Sequence, residues 1–159
     1  MISRSRYLTS DIRYLDIVLL STLALLFTGC ADRAARRIRA SDLDESYDAI
    51  QLNIAAIQRR DAEAYLAQYL DSPDFVVAAP DSLRRGYLLF AEARRASDQW
   101  PDSLIAGSPN VVWVAPGVVW GAFEYASVVG RDTAWGLSER LLVKTSAGWK
   151  IAVTGAMER

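Results

Sequence analysis

From Leu43 the chain repeats apolar residues at alternating steps of four and three, through Tyr47, Ile50, Ile54 and Ile57. That spacing draws one apolar stripe along a helix. Ser41 and Asp44 stand at capping-box spacing, with Asp in place of Glu, and mark its start. Asp61 can cap a second, short helix in which Tyr65, Leu66, Tyr69 and Leu70 share a face, and Asp71-Ser72-Pro73-Asp74 ends it. Phe75 to Ala79 reads as a short strand. From Arg85-Gly86 a third helix runs through Leu89, Phe90 and Ala93 and breaks near Trp100-Pro101. The pattern then changes. Apolar and β-branched runs follow, separated by turn signals at Pro116-Gly117, Gly130-Arg131-Asp132 and Ser146-Ala147-Gly148, as in an antiparallel meander. Helices first and strands after predict an α+β domain with its helices covering one face of a bent sheet.

Turn lengths set which side chains share a face. A two-residue loop at Pro116-Gly117 would pair Ala115 with Val118 and Trp113 with Trp120. A two-residue loop at Gly130-Arg131 or Arg131-Asp132 would put Trp120 and Glu124 on one face with Trp135, Leu137, Glu139, Leu141 and Val143. A type I turn with a Gly bulge at Ser146-Ala147-Gly148 would add Trp149, Ile151 and Val153. This set is apolar enough to be the covered side, yet it holds Glu124 and Glu139, the candidate catalytic residues. Two carboxylates among tryptophans repel and are desolvated, which raises a carboxyl pKa and suits proton exchange with a substrate. The plainer reading places them at a rim, paired with Arg140, Arg131 or Lys150. Trp113, Trp120, Trp135 and Tyr69 are the candidate ligand-binding residues, against a plainer reading of the tryptophans as core filler.

Ahead of this domain, residues 1–29 divide into a polar, net basic stretch, an apolar run from Ile17 to Phe27, and Thr28-Gly29 before Cys30. This is the layout of a secretory signal, and the run is short for a transmembrane helix. Leu26-Phe27-Thr28-Gly29-Cys30 resembles the lipobox of bacterial lipoproteins, with Phe27 where Leu is usual and with Asp11 and Asp16 in a region normally only basic. The resemblance implies cleavage before Cys30 and a lipid on its thiol, anchoring the chain in the cell envelope facing the periplasm. Ala31 at the next position favours the outer membrane in a Gram-negative host. An ordinary cleaved signal and an uncleaved anchor are the alternatives. Residues 30–41 are then a tether whose Arg33, Arg36, Arg37 and Arg39 either meet anionic headgroups or extend the first helix into solvent. The domain is 42–159.

Composition narrows the chemistry. In 159 residues there is one cysteine and no histidine, so an internal disulfide, the usual zinc sites and the commonest general base are all excluded. A formal charge of −1 offers nothing to nucleic acid. No phosphate-cradling loop, nucleophile set or metal motif is visible, and no cofactor is expected.

In order and spacing, several phrases resemble the nuclear transport factor 2-like superfamily, in particular its SnoaL-like and domain-of-unknown-function branches. They are Arg59-Arg60-Asp61-Ala62-Glu63-Ala64, where the family often has Gly-Asp; the aromatic-rich Tyr69 to Val76; Arg85-Gly86 opening a helix; and Gly148-Trp149-Lys150-Ile151 opening the last strand. The resemblance implies a cone-shaped cavity between N-terminal helices and a curved antiparallel sheet, used for catalysis, ligand binding or dimer formation. Enzymatic members resembling ketosteroid isomerase carry a basic Asp-Pro pair where this chain has Ala79-Pro80, and a tyrosine where counting back from Asp61 gives Asn53. The histidines that many relatives carry after the Trp-Lys-Ile phrase are replaced by Ala152 to Ala156. The reading that follows is a non-catalytic module that binds a small apolar ligand or forms a homodimer. An isomerase, cyclase or hydrolase using Glu124 or Glu139 is the alternative.

Overall fold

In a computed structural model the backbone is described for residues 8–159 and the side chains for residues 32–159. The expected leader and the lipidation residue Cys30 lie outside the residues with described side chains. The chain divides into a unit that ends at Ile38 and a compact unit, Arg39–Arg159. Three helices, α1 (Leu8–Gln58), α2 (Ala62–Leu66) and α3 (Tyr87–Ala96), accompany seven strands. These are β1 (Val76–Ala79), β2 (Ser82–Arg85), β3 (Ser103–Ala106), β4 (Asn110–Ala115), β5 (Val118–Val129), β6 (Asp132–Thr145) and β7 (Gly148–Glu158).

Helix α1 does not begin at Ser41. The Ala- and Arg-rich residues 31–40 contain no helix breaker, so the helix runs through them, and the Ser41 hydroxyl donates to Glu45 Oε1 at 2.5 Å instead of capping. The far end closes in a Schellman motif, with Asp61 N–H donating to Ala56 O and Arg60 N–H to Ile57 O. That motif puts Arg60 in the left-handed region at φ 55°, the position where glycine is usual. Asp61 then caps α2 by accepting from Ala64 N–H at 2.9 Å.

The sheet order is β2-β1-β7-β6-β5-β3, with β4 also pairing β5. It is antiparallel except where β1 runs parallel to β7, a pairing the expected meander did not contain. Parallel neighbours need a long crossover, and everything from β2 to β6 supplies it. Strands β2 and β3 were also not expected. All four residues of β2 are exposed at the sheet edge, so no burial pattern shapes its sequence.

The β5–β6 turn is the two-residue loop Gly130-Arg131, pairing Trp120 with Leu141 and Glu124 with Leu137. Irregularities fall between Trp113 and Ala115 in β4 and between Leu141 and Leu142 opposite β7. The covered face carries Val119, Phe123, Leu142, Trp149 and Ile151, which pack with Ile50 and Ile54 of α1 and with Tyr69 and Phe75. Gly121 lies on this face because a Cβ there would press into Ile50 Cδ1. α1 therefore settles on the β5–β6 side that bears Gly121.

Replacing Arg60 by glycine removes the left-handed strain and gives up only an exposed ion pair with Asp102 at 3.0 Å. Urea unfolding of Arg60→Gly should show a gain of about 0.5–1 kcal/mol. A loss would mean that the ion pair outweighs the backbone term.

Candidate functional site

The covered side is the inside of the cone, and an aromatic cluster forms its wall. Tyr65 from α2 stands 4.8 Å from Tyr69, centroid to centroid, and meets Trp100 edge-on at 5.7 Å. Phe90 of α3 lies 4.9 Å from both Tyr69 and Phe75. Tyr69 is held in place by backbone pairing of its segment with β7, through Leu70 N–H to Ile151 O and Ile151 N–H to Gln68 O.

Polar side chains are set into this wall. Arg140 is 5% exposed, and its Nη1 donates to Ser138 Oγ at 2.6 Å, Glu139 O at 2.8 Å and Gly155 O at 3.2 Å. Its guanidinium also lies 5.6 Å from the Phe123 ring. The Arg140 charge reaches the phenols of both Tyr65 and Tyr125. Burial, reinforced by Tyr69, pushes the Tyr65 phenol well above the usual tyrosine range, so it stays a neutral donor. Four polar atoms here lack any partner: both amide atoms of the fully buried Asn53, the Tyr69 hydroxyl and Arg140 Nε. Strand pairing sets Gly121, Arg140, Thr154 and Val77 in one row across the sheet. Val77 also lines a groove of about 290 Å³ with Arg84, Arg85, Leu89, Phe90 and Ala93.

The expected site residues divide between the two faces. Tyr69 and Trp113 lie inside, but Trp113 faces Val119 and not Trp120, because the β4 irregularity at Val114 shifts the register. Trp120, Trp135, Glu124 and Glu139 share the outer face, as the loop arithmetic required, and that face is not the covered one. Both faces are apolar, so composition did not separate them. Trp149 and Ile151 belong to the inner face, since Thr145 pairs with Gly148 and Lys144 with Trp149, while the Leu141/Leu142 irregularity returns Val153 to the outside. Glu124 is exposed, lies 3.4 Å from Arg159, and lines a shallow recess of about 260 Å³ with Trp135 and Ile105. Glu139 is half-buried, and among the described residues it joins no ion pair.

Sequence reasoning did not select Arg140. The signal was present in Glu139-Arg140-Leu141, where strand alternation must turn either both neighbours or the arginine inward.

Next to the site, α1 is clamped to the sheet. Asp42, 2% exposed, accepts from Gly117 N–H at 2.9 Å and Trp113 Nε1 at 3.3 Å, and Lys144 Nζ lies 3.4 Å away. Glu45 accepts from Trp149 Nε1 at 3.0 Å and pairs with the same Lys144 at 2.8 Å. The hydrogen bonds from Lys144, then Ser41, then Trp149 bring the Glu45 carboxyl down to about 2.

No protein-family model matches the sequence, and no curated protein does. Solved structures do match in fold. A cystatin-like fold protein from Burkholderia xenovorans superposes with a TM-score of 0.65 at 18% identity, over 74% of this chain and 92% of that one. A nuclear transport factor 2-like protein of unknown function from Shewanella oneidensis gives 0.63 at 17% identity, over 71% and 96%. A ketosteroid isomerase-like protein from Erwinia carotovora atroseptica gives 0.62 at 20% identity, over 74% and 95%. The chain therefore has the nuclear transport factor 2-like cone fold, of class α+β.

The depressed Glu45 carboxyl sets a pH dependence. Its ordinary value is 4.5 and its folded value about 2, so its stabilisation is complete above about 4.5 and disappears as pH falls to about 2. Denaturation midpoints measured across that window should fall more steeply for the wild type than for Glu45→Gln. Parallel profiles would remove Glu45 from the clamp.

Proposed function

We propose that this protein is an envelope-anchored lipoprotein whose SnoaL-like domain holds a small molecule inside its cone without transforming it, and that two copies pair through their outer sheet faces. The observation that carries the binding reading is the set of buried, unpartnered polar atoms on Asn53, Tyr69 and Arg140 among aromatic walls. Folded interiors pair their polar groups, so such atoms call for a partner from outside the chain. The anchor is supported by the lipobox-like stretch ending at Cys30 and the short apolar run before it.

Binding without turnover is favoured by what the inner wall lacks. Its polar groups are phenols, an amide, hydroxyls and a guanidinium, while the buried Asp42 carboxylate at the clamped end is taken up by Gly117, Trp113 and Lys144. Ala79-Pro80 stands where isomerase-like members carry their base, and Glu124 and Glu139 face outward. A catalytic alternative would have to use Glu124 in the open recess, where its exposure and its pairing with Arg159 leave it in solvent.

Pairing of two copies is supported by the outer face. Ile105, Val112, Trp135 and Met157 are all exposed there, large apolar side chains that a second copy would cover. A C2 pair would bury it symmetrically.

Two measurements test these parts separately. Screening small apolar molecules should find some that change tryptophan emission, with most of the change lost in Trp100→Phe because Trp100 packs on Tyr65. If no molecule alters emission or thermal stability, the binding reading fails. Sedimentation should give a dimer for the wild type and a monomer for Trp135→Glu. A wild-type monomer would sink the pairing.

A further inference from the structure

We infer that the ligand of the cone is a small apolar carboxylic acid, bound through its carboxylate to Arg140. This rests on the cavity-binding reading above and adds the chemical class of the ligand.

The argument starts from charge. An arginine cannot shed its proton to escape burial, and a buried cation with no counter-charge is costly. Arg140 is nevertheless among the most buried residues of the domain, and among the described residues it makes no ion pair. Its three hydrogen bonds are all donated by Nη1, two of them to backbone carbonyls that strand pairing fixes in place. The guanidinium is thus held in one orientation, with Nε left unpartnered. A planar fork with one edge anchored and the other free matches a carboxylate, which accepts two parallel N–H bonds.

The surroundings supply the rest of the selectivity. Tyr65, kept protonated by burial, is a further donor of the inner wall, and Tyr69, 4.8 Å from it between ring centroids, has an unpartnered hydroxyl. In the same row of the sheet Thr154 stands between Arg140 and Val77, and Val77 lines the groove of about 290 Å³. That groove has an apolar floor of Val77, Leu89 and Phe90, with Arg84 and Arg85 beside it. A ligand with its carboxylate on Arg140 would carry its apolar body toward Phe90, which packs on Tyr69 and lines the groove. The arginines of the groove attract the same sign of charge.

The test uses the full-length chain and a series of acids from acetate through hexanoate and benzoate to cinnamate. Each is compared by calorimetry with its neutral amide or alcohol, and inorganic phosphate serves as a second anion. The expected result is that at least one apolar acid binds at least about tenfold more tightly than its neutral counterpart. Arg140→Met should abolish that preference while leaving neutral binding in place, and Arg140→Lys should retain part of it. Arg140→Met should also unfold no more easily than the wild type, since it removes an uncompensated buried charge. Equal binding of acids and neutral counterparts overturns the carboxylate assignment and leaves the cavity reading standing. Phosphate binding more tightly than every acid also overturns it. If nothing in the series binds, both readings fall. Should Arg140→Met not fold, the acid-to-neutral ratio in the wild type and in Arg140→Lys still decides the matter.

Discussion

One helical turn of α1 governs how this domain is assembled. Asp42 and Glu45 are three residues apart and accept hydrogen bonds from β4, from the β4–β5 turn and from β7, with Lys144 of β6 bridging both carboxylates. Charged acceptors that draw on several strands at once fix the rotation of the helix about its own axis, which dispersion between apolar surfaces alone specifies poorly. Once that rotation is set, Ile50 falls over Gly121, and Asn53 and Ile54 follow it inward. Without Asp42, the half-buried indole N–H of Trp113 and backbone N–H of Gly117 would both lose their acceptor. Trp113 and Trp149 are therefore struts. Their indole nitrogens are committed to the clamp, and their rings fill the end of the cone that it closes.

With one end closed in this way, the remaining interior lies between the aromatic cluster and the row that holds Arg140. The two ends differ in chemistry. In the clamp every charge has an opposite charge or a donor within hydrogen-bond distance. At Arg140, among the described residues, no carboxylate comes within ion-pair distance. A domain of this size ordinarily compensates its buried charges internally, and here it does so at one end only.

Much of the architecture could be read from periodicity. The helix through Leu43 to Ile57, the cap at Asp61, the helix after Gly86 and the two-residue loop at Gly130-Arg131 all depend on local rules and occur as expected. Of the apolar stripe, however, only Ile50 and Ile54 are buried, beside the polar Asp42, Ser46 and Asn53. What sequence reading lost was parity and facing. The residue Val114 in β4 and the extra residue opposite Leu141/Leu142 each change which side chains point inward, and neither is marked by a glycine or proline. The two faces of the long strands are similarly apolar, so Trp120 and Trp135 look like core by composition, and only the docking of α1 makes the other face the inner one. Arg140 was passed over for the same reason. With parity assigned the other way, an arginine between Glu139 and Leu141 reads as a rim partner for the glutamates.

The irregularity in β7 has a consequence of its own. Before it, Trp149 and Ile151 alternate inward as filler; after it, the inward position passes from Val153 to Thr154, and a hydroxyl-bearing side chain takes the place beside Arg140. The lining of the cone is thus written partly in backbone pairing and not only in residue identity. Were β7 to pair regularly through Ala152, Val153 would stand opposite Arg140 in place of Thr154, and the rest of the strand would be turned over with no change of sequence. Whether a hydroxyl or a methyl-bearing side chain stands beside Arg140 is therefore decided by one unpaired residue of backbone, which residue identities alone do not record.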